Sequence, residues 1–100
     1  MKQEEKYKKE LSRVLTSIQQ NADMDAFLTD LFTEGEYREF AMRWQVVKRL
    51  AKHMPQRSIA EELDIGIGTV TRGSKEFQQK KSGFVHIIKK YFPTLLSYEK

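Results

Sequence analysis

Residues 56–77 read QRSIAEELDIGIGTVTRGSKEF, and the fold of the chain turns on this stretch. Ile59, Ala60 and Leu63 fall on one face at helical spacing, and Ile67, Val70 and Phe77 mark a face of a second helix. Between them Asp64-Ile65-Gly66 supplies a short polar residue, an apolar plug and a flexible joint. Two short helices joined by such a turn make a helix-turn-helix. The first helix supports, and the second offers small polar and basic side chains to a groove. Thr69, Thr71, Arg72, Ser74 and Lys75 are left to point outward. Ala60 allows close helix contact, and Ile65 and Val70 close the small core. Asp64 stands at the turn position that usually carries Gly; Asp tolerates the left-handed conformation better than most residues. Gly66 opens the second helix. Gly68 lies in its first turn, where it costs about 1 kcal/mol relative to Ala, and this points to close approach of a partner or to a deliberately loose reading head. An ordinary helical hairpin buried in a core is the alternative, and the outward polar residues argue against it.

Composition bounds what surrounds this stretch. One hundred residues with two Pro and five Gly predict one small helical domain, 1–100, with no internal linker or repeat. So small a chain has a thin core, which oligomerisation would supplement. A net charge of +4 and a pI near 9.4 favour a polyanionic partner. The absence of Cys excludes disulfides, thiolate zinc sites and cysteine nucleophiles, and suits a reducing cytoplasm. No apolar run approaches the roughly 20 residues that span a bilayer, and MKQEEKYKKE at the start lacks the apolar core of a signal peptide. A cytoplasmic protein with no membrane partner is expected. His53 and His86 have no carboxylates at metal-ligand spacing, and both read as surface or boundary residues. Gly66, Gly68 and Gly73 follow no strand, so they do not form a phosphate-binding loop. Glu61-Glu62 is a solvated helix face. The expectation is therefore no enzyme, no catalytic residue, no metal and no cofactor.

The remaining elements follow from periodicity. Tyr7, Leu11, Val14, Leu15 and Ile18 form an apolar stripe on a helix from Lys2 to Gln20. Asn21-Ala22-Asp23 breaks it, with Asp23 as N-cap. Met24, Phe27, Leu28, Leu31 and Phe32 make a short helix so apolar that it needs cover on more than one side. Thr33 and Glu36 form a capping box. They open a third helix that runs to about Lys52 with Tyr37, Phe40, Ala41, Trp44, Val47 and Leu50 or Ala51 inward. Trp44 reads as core. Pro55 suits the first turn of the next helix. Lys80 and Lys81, in a polar joint, are available for phosphates. Phe84, Val85, Ile87, Ile88, Tyr91 and Phe92 make a last helix that Pro93 kinks or stops, with Leu95, Leu96 and Tyr98 as a further turn. A strand at FVHII would have no partner. The fold class is all-α: a six-helix chain with a helix-turn-helix at about 56–77.

The run QRSIAEELDIGIGTVTRGSKEF, and GIGTVTRGS most specifically, resembles the DNA-binding region of the tryptophan repressor family. The preceding FTEGEYREFAMRWQVVKRLAKHM is similar to the connector and central helix of that family, one residue shorter at the turn before Met54. The likeness covers about Met24 to Phe77. It implies an intertwined homodimer in which the first three helices and the last interleave between chains. It also implies a transcriptional repressor activated by L-tryptophan as corepressor, controlling tryptophan-related genes through double-stranded operator DNA.

On this resemblance the DNA-binding residues are Gln56, Arg57, Ile67, Gly68, Thr71 and Lys75. Arg57 is the candidate for a base contact, since its fork can take both acceptors of a guanine. Gln56 suits a phosphate, Ile67 and Gly68 lie shallowly against base edges, and Thr71 bonds a base directly or through water. Lys75 replaces a neutral family residue and adds phosphate affinity. For L-tryptophan, Arg43 and Arg72 match the two arginines that sandwich the ring. Arg72 also pairs with the ligand carboxylate. Backbone carbonyls near Asp30 and Phe32 of the partner chain take the ammonium. Thr33 and Thr69 close the pocket, Val46 lies below the ring and Gly73 leaves room beside it. Glu76 departs from the family, which has a small hydroxyl residue there. Its carboxylate pairs with the ligand ammonium or, alternatively, repels the ligand carboxylate and favours an amine. Two other readings stay open: a helix-turn-helix regulator with a different or no effector, and a helical protein-interaction module.

Overall fold

The computed structural model describes residues 2–79 and 82–96. Every regular element among them is helical: α1 (Lys2–Ser17), α2 (Asn21–Leu31), α3 (Glu34–Ala51), α4 (Gln56–Leu63), α5 (Ile67–Gln78), α6 (Gly83–Tyr91) and α7 (Pro93–Leu96). The described residues thus hold seven helices where six were expected. Pro93 is the reason. Phe92 leaves the helical region (φ −136°, ψ 51°), and Pro93 then opens a new turn, where its missing N–H would have no partner anyway. FVHII is helical. Lys80, Lys81 and Tyr98 lie outside the described residues. The chain divides into two compact units, Met1–Arg38 and Glu39–Lys100, the division falling within α3.

In the first unit α1 stops at Ser17 rather than Gln20. The hydroxyls of Thr16 and Ser17 donate back to the carbonyls of Ser12 (2.8 Å) and Val14 (2.7 Å), a local alternative to continuing the helix. Asp23 is not the N-cap of α2. Gln20 holds that place in an extended conformation, and Asp23 sits in the first turn, where its charge faces the positive helix end. The capping box at α3 forms as expected: the Glu36 N–H donates to Thr33 Oγ1 (3.1 Å) and the Thr33 N–H to Glu36 Oε1 (2.9 Å). The Tyr37 hydroxyl donates to Asp25 Oδ1 at 2.8 Å, and its ring meets Phe32 edge-on. That hydrogen bond, with desolvation and the carboxylate charge adding to it, holds the phenol above its ordinary pKa of 10.0. Neither α1 nor α2 has a buried residue; Tyr7 is 60% exposed, Val14 38% and Leu31 42%.

The second unit owns two small cores. Val46, Ile59 and Val70 are buried together, with Leu50, Met54, Ala60, Leu63 and Ile65 packed on them. Val47, Ala51 and Ile88 form the other core, with Trp44, Phe77, Phe84, Leu95 and Leu96 around them. Val46 and Val47 are neighbours in sequence, so α3 presents two faces about 100° apart to two different sets of helices. Phe40 and Ala41, expected inward, are exposed, and Val46, not expected there, is buried. Trp44 is a core residue, its ring 5.9 Å from that of Phe92.

Two matching terminations set the α4–α5 pair on α3. At the end of α3, His53 turns left-handed (φ 65°), the Met54 N–H reaches the Arg49 carbonyl (3.0 Å) and the His53 N–H the Leu50 carbonyl (2.9 Å). At the end of α4, Asp64 does the same (φ 56°), with Ile65 bonded to Ala60 (3.0 Å) and Asp64 to Glu61 (3.3 Å). Each is a Schellman closure with a non-glycine residue at the strained position. Met54 and Ile65 then fold back onto the core just left behind. Pro55 is the N-cap of α4 rather than a residue of its first turn.

Candidate functional site

α5 is divided lengthwise into three faces. Val70 and Ser74 are buried and Phe77 half-buried, so Ser74 faces inward rather than outward, its hydroxyl accepting from Gln78 Nε2 at 3.2 Å. A small hydroxyl fits there because its one polar atom finds a partner on the same helix. Ile67, Thr71 and Lys75, spaced by four, form an exposed stripe. Thr69, Arg72, Gly73 and Glu76 make the third face, and all four line a cavity of about 660 Å³.

The exposed stripe gathers three of the six expected DNA-contacting positions, Ile67, Thr71 and Lys75. Ile67 is 51% exposed at the first position of α5, so it lies off the packed face with which its spacing had grouped it. Gly68 beside it is exposed, and a Cβ placed there meets nothing within 4 Å. The protein's own packing therefore does not demand glycine at 68. Arg57 is exposed on the first turn of α4. The Thr71 hydroxyl lies 3.0 Å from both Gln56 Oε1 and the Ile67 carbonyl, which share its one proton. That contact ties the start of α4 to the stripe. A clasp on another side fixes α4 to α3, where Arg49 donates from Nε to Glu62 (2.8 Å) and from Nη1 to the Gln45 amide oxygen (2.7 Å).

The cavity is walled by Glu39, Met42, Arg43 and Val46 of α3, by Thr69, Arg72, Gly73, Lys75 and Glu76 of α5, and by Phe84 of α6. Six of the residues expected around the ligand, namely Arg43, Val46, Thr69, Arg72, Gly73 and Glu76, thus share one cavity. A Cβ on Gly73 would stand 3.0 Å from Val46 Cγ1, so the glycine is what lets α5 approach α3 closely. Arg43 is engaged: Nη2 meets Glu39 at 3.5 Å, and its guanidinium lies over the Phe40 ring, 5.2 Å from the centroid. Asp30, Phe32 and Thr33 belong to the first unit, where Thr33 serves the capping box and the Phe32 N–H donates to the Leu28 carbonyl.

Glu39, Met42 and Phe84 were not anticipated on the cavity wall. For two of them a signal existed, since Glu39, Met42, Arg43 and Val46 follow i, i+3, i+4, i+7 along one face of α3. Phe84 arrives from α6, and no local spacing foretells it. Lys75, expected at phosphates, borders both the stripe and the cavity.

Fold and site together define an all-helical protein whose short helix pair packs against a long helix beside an arginine-walled cavity. A family profile described as "Trp repressor protein" matches residues 6–91. The chain is similar to a Trp operon repressor homolog of Vibrio campbellii, 32% identical over 83 residues, which cover 80% of this chain and 83% of that protein. It is 36% identical over 66 residues to one of Haemophilus influenzae, covering 65% of each. A homolog of Vibrio vulnificus is 40% identical over 57 residues, 56% of each chain. No solved structure matches it significantly. The chain belongs to the Trp repressor family.

Proposed function

We propose that this protein is a DNA-binding transcriptional repressor that requires L-tryptophan as corepressor and controls tryptophan-related genes in the cytoplasm. The observation that carries this reading is the cavity of about 660 Å³ in which Arg43 and Arg72 stand on different helices with Val46, Thr69, Gly73 and Glu76 around them. Guanidinium planes stack on flat rings, and one of the two can also hold a carboxylate. Because α5 carries both this wall and the stripe Ile67–Thr71–Lys75, a ligand in the cavity touches the helix that would read DNA. Arg57 would contact a base, Gln56 and Lys75 phosphates, and Ile67, Gly68 and Thr71 the base edges. No helix among the described residues is long and apolar enough to cross a membrane.

The functional unit in this reading is an intertwined homodimer, with helices α1 to α3 and the C-terminal helices interleaved. Support comes from α1 and α2, whose apolar side chains are at most half-buried within one chain. Two α4–α5 pairs would then meet successive major grooves of a palindromic operator. The partner chain's carbonyls near Asp30 and Phe32, together with Thr33, would complete each ligand site.

Mobility shifts with a duplex spanning the palindrome upstream of tryptophan genes test this. L-tryptophan should raise affinity at least about ten-fold, a typical coupling between sites. Equal binding with and without tryptophan would favour a regulator with another effector, a reading kept in play by Glu76 on the cavity wall. Binding that ignores ionic strength would favour a protein-docking module instead.

A further inference from the structure

The cavity wall carries an unusual balance of charge. Its cations are Arg43, Arg72 and Lys75, and its carboxylates are Glu39 and Glu76. Glu39 is committed to Arg43 on its own helix. Arg72 and Glu76 stand one turn apart on α5, at the i, i+4 spacing that brings Cβ atoms within roughly 5–6 Å and usually lets unlike charges pair. They do not pair. Among the described residues, neither side chain makes an ion pair or a hydrogen bond. Two opposite charges, adjacent and unspent, thus open into the same cavity.

We infer that Glu76 reads the ligand's ammonium while Arg72 reads its carboxylate, so that the site selects a zwitterionic α-amino acid bearing a flat ring. This rests on the cavity being the indole-ligand site proposed above. A zwitterion satisfies both unspent charges at once. A deaminated acid would leave Glu76 confronting a second carboxylate, and a decarboxylated amine would leave Arg72 unanswered. Charge-assisted hydrogen bonds are the strong ones, so a ligand that answers only one of the two charges forgoes one of them. Glu76 is therefore a specificity-determining residue, supplying at the side-chain level what a hydroxyl can offer only as a neutral acceptor.

Calorimetric titration of the full chain tests this with three probes: L-tryptophan, tryptamine (no carboxylate) and indole-3-propionate (no ammonium). Wild type should bind tryptophan best. Glu76→Gln and Glu76→Ser should each weaken both tryptophan and tryptamine about ten-fold or more. The same variants should strengthen indole-3-propionate, a gain that damage to the fold cannot produce. Unchanged or tighter tryptophan binding by Glu76→Gln overturns the assignment. So does tighter tryptophan with weaker tryptamine, which would mean that Glu76 favours amines by repelling the carboxylate. If wild type binds none of the three, the indole-site reading itself fails. If wild type and Glu76→Gln bind tryptophan alike, only the role of Glu76 falls.

Discussion

Both units of this chain carry apolar side chains at helical spacing and treat them differently. In Glu39–Lys100, helices of eight to twelve residues pack against α3, burying Val46, Ile59 and Val70, and Val47, Ala51 and Ile88, within one chain. In Met1–Arg38, a sixteen-residue helix with an unbroken apolar stripe buries nothing, and the more apolar α2 does no better. Length and amphipathicity therefore do not decide burial; the number of helices that return over a given face does. The chain turns back tightly at His53 and Asp64, and the helices there meet. Under the proposed dimer, the stripe of the first unit is completed by the second copy.

The largest expected effect would break this contrast at its weaker side. Replacing Leu11 and Val14 together by Asp puts two charges where a partner chain should dock. Light scattering should show wild type at twice the 11.8 kDa chain mass and the double variant dissociated or unfolded. A wild type that stays monomeric and folded at micromolar concentration would mean that the first unit needs no cover. Next comes Ile59→Ala, in the core that the second unit builds alone. Losing a fully buried Ile should cost about 2–5 kcal/mol of unfolding free energy by denaturant titration. A cost below 1 kcal/mol would show that this core is not what holds α4 on α3.

Smaller effects separate the faces of α5 and α4 from their cores. Arg57→Ala should cost about 1–3 kcal/mol of operator binding and relax one operator position, with thermal stability unchanged. Selection from randomised operators would expose a wrong assignment if specificity stayed the same. Gly68→Ala should raise stability by about 0.5–1 kcal/mol, since helix propensity improves and a Cβ there meets nothing. DNA affinity should fall, because the methyl occupies space reserved for a partner; a gain in both would remove Gly68 from the interface.

The smallest effect concerns Tyr37. Its phenol is held above 10.0, so the neutral form is favoured in the folded chain. That contribution is intact below pH 10 and fades as pH rises through the raised value. Asp25→Asn removes the charged acceptor and should bring the titration of Tyr37, followed by ring NMR shifts, back toward the ordinary range.

By itself the sequence determined what local chemistry controls. The helices of both units, the capping box at Thr33 and Glu36 and the left-handed turn at Asp64 depend on residues within a few positions of one another. Their propensities and hydrogen bonds are the same in any fold. The arginines at 43 and 72 were legible through a family resemblance, and Glu39 and Met42 lay within reach of the same helical spacing. What only the tertiary structure decided was which face meets which neighbour. Val46 and Val47 parted into separate cores, Ser74 turned inward, and Ile67 stayed out. Phe84 came from α6 to wall the cavity, and Arg72 and Glu76 were left unpaired across a turn where spacing alone would join them. Burial and charge pairing are set by what distant segments bring to a surface, and spacing along one helix does not encode that.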